Sequence, residues 1–139
     1  MKKIALTLLI AVSLTSWVAA PKSLAQDNPK HSADTLNITT TDSTEYEITI
    51  VEPGFDSWLI GHAKPLWYFS NDYYRNKNNF LVAKWNNRVR ETMYQEPYDY
   101  LIDYLPNIDY GLEVNYQLYW YFRYIENKYN VDLGIPATD

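Results

Sequence analysis

The sequence lacks cysteine: none of its 139 residues carries a thiol. Disulfide bonds, thiolate nucleophiles, iron–sulfur clusters and cysteine-ligated zinc sites are therefore excluded. We also expect no lipid anchor attached through cysteine. The folded chain must rely on packing and hydrogen bonding for its stability.

Histidine is scarce, and His31 and His62 lie far apart in the sequence. No His-x-x-x-His or His-x-Glu pattern is present, which argues against the common kinds of zinc enzyme. A serine triad would have to use His62 with Ser57 or Ser70, but the Gly-x-Ser-x-Gly turn that exposes such a nucleophile is missing. We therefore expect neither a metal nor a cofactor.

Basic residues are outnumbered, with 12 Lys and Arg against 17 Asp and Glu and a formal net charge of −5. Nucleic-acid binding needs a dense Lys/Arg footprint, and adhesion to acidic lipid needs a basic patch. We expect no nucleic-acid partner and no binding to acidic membranes.

A long apolar run occurs in the sequence from Ile4 to Ala20, behind two lysines. Thr and Ser interrupt it, and it is shorter than the roughly 20 apolar residues of a spanning helix. This pattern is typical of a secretory signal peptide. Cleavage after Ala20 would leave a proline next to the cut, so we expect cleavage after Ala25, removal of residues 1–25, and export to the periplasm or the exterior. The mature chain has no expected transmembrane span, and it carries 9 basic and 17 acidic residues.

Residues 26–44 are rich in Ser, Thr, Asn and Asp and hold two large apolar residues, Leu36 and Ile38. Such a composition buries too little surface to offset the entropy of ordering, which predicts a disordered tether. Residues 45–139 contain 22 of the 23 aromatic residues. Each ring buries about 150–250 Å², so we expect a single folded domain over residues 45–139 with a core of large rings.

Five elements are predicted within this domain. Alternating apolar residues predict a strand at about 45–51, and the same pattern at 131–135 predicts its partner. A short helix is expected at 55–60, a long helix after the N-cap Ser70, and a second long helix from about Gly111. The expected fold is α+β and mainly helical: two long antiparallel helices, a short helix and a small terminal β-strand pair in a single small domain.

The two long helices differ in their faces. The second is aromatic nearly all round, so at least two elements must pack on it, or one face is free to bind. The first has one apolar stripe, formed by Tyr74, Asn78, Leu81, Trp85, Val89 and Met93.

An acidic segment, residues 91–113, joins the two helices and contains six acids, five tyrosines and no Lys or Arg. Glycosidases place two carboxylates about 5–10 Å apart, so a carboxylate-dependent hydrolase acting on glycan is one possible function. The spacing of Asp99, Asp103 and Asp109 does not match an EF-hand, which argues against calcium. The other interpretation is that these acids cap turns and helix ends.

Amides, an arginine and aromatic rings share the helix faces and form the candidate binding set. One interpretation is an interhelical hydrogen-bond network in which Arg88 pairs with Asp109 or Glu113. The other is a pocket for a glycan, a peptide or a ligand that carries a carboxylate. The candidate residues are Trp58, Trp85, Asn86, Arg88, Asp109, Asn115 and Tyr116.

Three blocks of the sequence stand out: Phe55–Leu59, Asn78–Arg88 ending in Trp-Asn-Asn-Arg, and Ile108–Tyr119 followed by Tyr121-Phe122. These blocks resemble a family of exported Bacteroidota proteins catalogued as a domain of unknown function, number 6146. The resemblance covers about residues 46–133, implies a location in the cell envelope, and brings no established activity. Many relatives look like lipoproteins with a cysteine after the signal, and this chain differs from them.

We expect a non-catalytic exported envelope module that binds a partner protein, glycan or peptide through an aromatic surface. A hydrolase would instead place two acids opposite each other in a cleft. A third possibility is a purely structural interaction protein, whose rings would all be buried and which would have no pocket.

Overall fold

The computed structural model describes residues 35–42 and 45–136. They form three helices and one two-stranded antiparallel sheet in a single small, mostly helical domain, which confirms the predicted α+β class. Among the described residues, no helix has the length and apolar content needed to span a membrane. The elements are β1 (Leu36–Asp42), β2 (Glu45–Ile50), α1 (Phe55–His62), α2 (Asn71–Glu91) and α3 (Leu112–Tyr129).

The sheet is a hairpin of β1 and β2. Leu36 lies opposite Ile50, and Ile38 lies opposite Ile48, so one face of the hairpin is apolar and packs on the core. The opposite face carries Thr, Asn and Glu, as expected for a half-buried antiparallel sheet.

The predicted tether was wrong for residues 36–42, which form β1. Leu36 and Ile38 are enough to give a strand an inner face, and the β-branched threonines that follow them favour extended backbone. The rest of the predicted tether, residues 26–34 and 43–44, lies outside the described residues. The predicted signal peptide, residues 1–25, lies outside them as well.

The predicted strand partner at residues 131–135 was also wrong, because this segment has no strand structure. Leu133 is buried, and the Glu126 carboxylate accepts hydrogen bonds from the backbone N–H groups of Leu133 at 2.7 Å and Ile135 at 3.4 Å. The alternating pattern therefore reflects a loop packed against α3, in which a side chain replaces the backbone partners of a strand.

The helix α2 begins as predicted, with the Ser70 hydroxyl accepting from the Tyr73 N–H at 3.2 Å. Its predicted stripe is buried as far as Val89, and Val82 belongs to it too. Met93 was wrongly included, because α2 ends at Glu91 and Met93 is exposed. The short helix α1 runs through Gly61 to His62.

The helix α3 is buried nearly all round because other elements cover it on several sides. From α2, Trp85 contacts Phe122 with ring centroids 6.0 Å apart. From α1, Phe55 contacts both Tyr121 and Tyr124 at 5.6 Å. Other elements therefore pack on the aromatic faces of α3. Of the two predicted alternatives, packing by at least two elements or a face free to bind, this is the first.

Residues 92–111, called the return segment below, run back along α2. The alternate residues Tyr98, Tyr100, Ile102 and Tyr104 are buried, although the segment contains no strand. The segment runs antiparallel to α2, because residues later in the segment bond to residues earlier in the helix. Tyr100 bonds to Trp85, Pro106 to Arg75, and Asp109 to Asn71.

The two long helices therefore run in the same direction, and the predicted antiparallel arrangement was wrong. Asn115 at the start of α3 bonds to Asn71 and Asn78 in the first half of α2. Trp85 in the second half of α2 contacts Phe122 farther along α3. A short loop would have forced an antiparallel pair, but the return segment is long enough to bring the chain back to the start of α2.

Candidate functional site

Trp85 belongs to the core and not to a pocket, with 0% of its surface exposed. Its indole N–H donates to the Tyr100 carbonyl at 2.7 Å. Its ring packs against Tyr98, Tyr100 and Phe122 at centroid distances of 5.1, 5.4 and 6.0 Å. The side chain thus joins α2, the return segment and α3.

Asn86 pairs with one backbone unit of the return segment. Its amide nitrogen donates to the Ile102 carbonyl at 2.9 Å, and its amide oxygen accepts from the Ile102 N–H at 2.8 Å. This is the pattern that a neighbouring strand would offer. Asn86 therefore holds an extended segment that has no strand partner.

Asn115 is the centre of a buried polar network. Its side-chain oxygen accepts from the Tyr104 hydroxyl at 2.8 Å, and its amide donates to Asn71 at 2.8 Å. Its backbone carbonyl accepts from the Asn78 amide at 2.8 Å. Burial raises the pKa of Tyr104 to about 12, so its hydroxyl stays protonated and acts as the donor. The network supports the first of the two interpretations, a packing device between helices.

Asp109 extends this network, through Asn71, to the start of α3. Its carboxylate accepts from the Gly111 N–H at 3.1 Å and from the Asn71 amide at 3.2 Å. These two hydrogen bonds, the Gly111 bond foremost, lower the pKa of Asp109. The carboxylate thus places a negative charge just before the N-terminus of α3, where the helix dipole favours it.

Arg88 does not pair with Asp109 or Glu113, contrary to the predicted ion pair. It lies near the end of α2, whereas both acids lie at the start of α3, beside the opposite end of α2. Its partner is Glu91, one turn on, at 3.4 Å on the exposed surface. An exposed pair of this kind contributes about 0–1 kcal/mol to stability.

Trp58 and Tyr116 make contacts of a different kind: Trp58 packs on α3 at Trp120 and Tyr124, and Tyr116 supports the connection between α1 and α2. Trp58 is half-buried and stacks on His62 at 4.6 Å. The Tyr116 hydroxyl donates to the Lys64 carbonyl at 2.8 Å. The seven candidate residues therefore do not line one pocket.

The connection between α1 and α2 forms an exposed aromatic turn, residues 65–68. The Tyr68 N–H donates to the Pro65 carbonyl at 2.9 Å, which places Leu66 and Trp67 at the tip. Trp67 is 79% exposed, and Leu66, Tyr68 and the nearby Ile60 are exposed as well.

Packing on either side holds the aromatic turn in place. After the turn, Phe69 stacks on Tyr73 at 4.0 Å, and before it, Lys64 is fixed by Tyr116. Trp67 was missed at the level of sequence. The available signal was a run of four apolar residues between Pro65 and the helix cap Ser70, in a stretch with neither helical nor strand periodicity.

A second candidate site is a cavity of about 290 Å³, called the Glu52 cavity below. It lies between the connection from β2 to α1, the return segment and the end of α3. Among the residues that the structure describes, three carboxylates, one ammonium group and two buried tyrosines line it: Glu52, Glu96, Asp99, Lys128, Tyr100 and Tyr121.

Charge and burial shift the ionisation of groups in the Glu52 cavity. A hydrogen bond from Lys128 to Glu52 raises the pKa of the lysine. Burial raises the pKa of Tyr100 and of Tyr121, whose hydroxyls bond to each other. Within residues 35–42 and 45–136, no group of three or more acids or histidines is arranged to hold a metal ion.

Sequence comparison assigns a family but no activity. Neither the curated proteins nor the solved structures contain a match to this chain. The model of a family of unknown function, DUF6146, matches residues 6–138, which includes every described element. By that match, the chain belongs to the DUF6146 family.

Proposed function

We propose that this protein is a non-catalytic, exported envelope module that binds a partner protein or peptide through the aromatic turn. The observation that carries the proposal is the exposure of Trp67, at 79% of its surface, in a domain that buries most of its rings. Trp and Tyr dominate the binding energy of protein interfaces, because one ring removes a large apolar area from water.

The surroundings of Trp67 favour a protein or peptide over a glycan. Leu66 in the turn and Ile60 in the last part of α1 add exposed aliphatic surface. A sugar-binding ring usually needs polar side chains beside it that bond the hydroxyl groups. The Lys64 ammonium lies close to this turn, 5.4 Å from the centre of the Tyr68 ring.

Export is part of the proposal and rests on the N-terminal sequence. Two lysines, a short apolar run and a small-residue cleavage site are typical of a signal peptide. An envelope location and a Bacteroidota origin are in keeping with the family resemblance of the three sequence blocks. Detection of the mature chain in a periplasmic or secreted fraction, with an N-terminus at Gln26, is the expected result.

The test of the binding proposal compares Trp67→Ala with Phe80→Ala. Both remove an exposed ring, but Phe80 lies on α2 outside the aromatic turn. Residues 26–139, which contain every described element, are used to capture partners from an envelope extract. The strongest partner is then purified and its Kd measured against each variant. We expect at least a tenfold loss of affinity for Trp67→Ala and none for Phe80→Ala.

Equal binding by the two variants, with both folded, would refute the role of the aromatic turn. A partner that proves to be a soluble glycan would refute the protein-binding proposal while leaving the turn as the site.

A carboxylate-dependent hydrolase acting on glycan stays as a second candidate because Glu96 and Asp99 line the same cavity as Glu52. Turnover of chromogenic glycosides that Glu96→Gln abolishes and Glu113→Gln preserves would replace the binding proposal. Glu113 is the matched control because it is an exposed acid at the start of α3, away from the cavity.

A further inference from the structure

The outer edge of β2, on the side away from β1, carries backbone groups that the hairpin itself does not use. The Val51 N–H donates to the Thr35 carbonyl at 2.6 Å, one position beyond the paired ends of the two strands. Hydrogen-bonded and non-hydrogen-bonded pairs alternate along an antiparallel ladder. The N–H and C=O groups of Tyr46, Ile48 and Ile50 therefore point away from β1.

These outward-pointing groups form a free strand edge. Among the residues that the structure describes, the sheet has two strands, and no hydrogen-bond partner of the outward groups on β2 is found. A row of such groups is a template for pairing with another extended chain. Proteins that bind peptides by strand addition obtain affinity from these backbone bonds and specificity from the side chains beside them.

Open space accompanies the free edge. A groove of about 310 Å³ lies between β2 and the start of α3, and both faces of the strand contribute to it, with Glu47 from the outer face and Ile48 from the inner face. A second hollow of about 410 Å³ begins at Ile50 and continues towards α1. An added strand therefore has room along β2.

The charge along the groove selects the kind of chain that fits. Glu45 and Glu47 of β2 and Glu113 of α3 line it, and the described lining contains no basic residue. Within residues 35–42 and 45–136, none of these three carboxylates forms an ion pair. Opposite charges on neighbouring strands stabilise a sheet, and like charges destabilise it. The edge therefore favours a strand that carries Lys or Arg on the face of Glu45 and Glu47.

A second copy of this chain fits the edge less well. The chain has 17 acidic and 12 basic residues, and pairing of β2 with its own equivalent brings the glutamates of two copies together. Charged side chains on an edge strand are a common protection against such pairing. The same glutamates thus oppose self-association and attract a basic partner.

We propose that the outer edge of β2 binds an extended basic peptide, with Lys or Arg at alternate positions, as a third and antiparallel strand. The apolar residues of the peptide lie opposite Tyr46 and Ile48 and exchange backbone hydrogen bonds with them. The basic residues lie opposite Glu45 and Glu47. This surface is separate from the aromatic turn, so the proposal does not rest on the function proposed above.

The test is hydrogen exchange, followed by NMR, of ¹⁵N-labelled residues 26–139 with the acetylated and amidated peptide Lys-Val-Lys-Val-Lys. We expect a Kd of about 1 mM and, at about 10 mM peptide, roughly tenfold slower exchange at the Tyr46 and Ile48 amides. Their N–H groups then donate to the peptide carbonyls. The Thr49 amide faces β1 and should slow far less.

Two control peptides separate strand addition from attraction by charge alone. The peptide Glu-Val-Glu-Val-Glu has the same length and strand propensity and should have no effect. The basic peptide with both valines N-methylated keeps its charge but loses the donors that face β2, so it should not slow the exchange.

Three results would overturn the proposal. The first is unchanged exchange with the basic peptide at about 10 mM, and the second is equal slowing by either control peptide. The third is slowing that depends on protein concentration without any peptide, which would assign the edge to a second copy of the chain.

Variants test the assigned charges. Glu47→Gln should weaken binding about threefold, because it removes one cross-strand charge pair. Glu91→Gln is the matched control, since Glu91 is an exposed acid at the end of α2, and it should leave binding unchanged.

The double variant Glu45→Lys/Glu47→Lys should reverse the preference and bind Glu-Val-Glu-Val-Glu more tightly than the basic peptide. A reversed preference is not the result of a damaged fold, so a folded double variant that still prefers the basic peptide would refute the assigned chemistry. Trp67→Ala should leave these measurements unchanged, so the edge of β2 and the aromatic turn can fail independently.

Discussion

Single side chains in this domain take one of two opposite roles, and its tryptophans illustrate both. Trp85 is fully buried and bonds to the Tyr100 carbonyl, so it fills the centre of the core and satisfies a buried backbone group. Trp67 projects from the aromatic turn and contributes little to the core. The same residue type thus serves packing at one position and recognition at the other.

We predict that Trp85→Ala lowers the free energy of unfolding by about 3–5 kcal/mol, because it leaves a cavity and an unpaired carbonyl. Trp67→Ala is the matched control and should change stability by less than about 0.5 kcal/mol. Urea unfolding followed by circular dichroism measures both. An unchanged unfolding midpoint for Trp85→Ala would refute its place in the core.

At the level of single residues, the sequence shows that a buried polar side chain needs a hydrogen bond more reliably than it shows which residue forms the bond. An interhelical hydrogen-bond network was predicted, and the buried amides Asn78 and Asn115 form one, although the Asn78 side-chain oxygen has no partner among the described residues. The partner of Arg88 was predicted wrongly, because a long exposed side chain has many options and its choice depends on helix direction. The exposure of Trp67 was missed because large rings are usually buried.

The return segment is the element that decides the architecture. Its alternate residues are buried like those of a strand, yet its backbone bonds to side chains of α2 and not to another strand. Elements with local signals were predicted well, such as β2 and the start of α2 at Ser70. The partner of β2 and the direction of α3 depend on contacts distant in sequence, and local patterns do not encode them.

We predict that Asn86→Ala loosens the return segment without unfolding the domain. The variant removes both bonds to Ile102, each worth about 0.5–1.5 kcal/mol. Native-state hydrogen exchange should show faster exchange at the Ile102 amide and its neighbours than in the parent.

The neighbouring exposed residue supplies the control, since Asn87→Ala should leave the exchange of Ile102 unchanged. If Asn86→Ala also leaves this exchange unchanged, the two bonds of Asn86 to Ile102 do not hold the segment in place.

At the scale of the whole molecule, the core is built from tyrosine, and this gives the domain a characteristic response to alkali. Burial raises the pKa of the phenol groups above the value of about 10 in an unfolded chain. Tyr104 illustrates the effect, with a pKa raised to about 12. The groups affected include Tyr74, Tyr98, Tyr100, Tyr104, Tyr110, Tyr116, Tyr121 and Tyr129.

We predict that stability falls as the pH rises above about 10. Between the unfolded pKa and the raised folded pKa, the folded state binds more protons than the unfolded state, so unfolding releases protons and is favoured by alkali. The stabilisation is fully present below about pH 10 and is lost as the pH passes through the folded values. Urea midpoints measured from about pH 8 to pH 11 test this, and a constant midpoint over that range would contradict it.

The shared direction of α2 and α3 has an electrostatic consequence. Parallel helices bring their macrodipoles side by side with like ends adjacent, which is unfavourable. Asp72 and Glu113 lie in the first turns of the two helices, and Arg88, Arg90 and Lys128 lie in the last turns. These charges oppose the helix ends at which they lie. Charged side chains at both ends of the helix pair thus offset the repulsion between the two parallel helix dipoles.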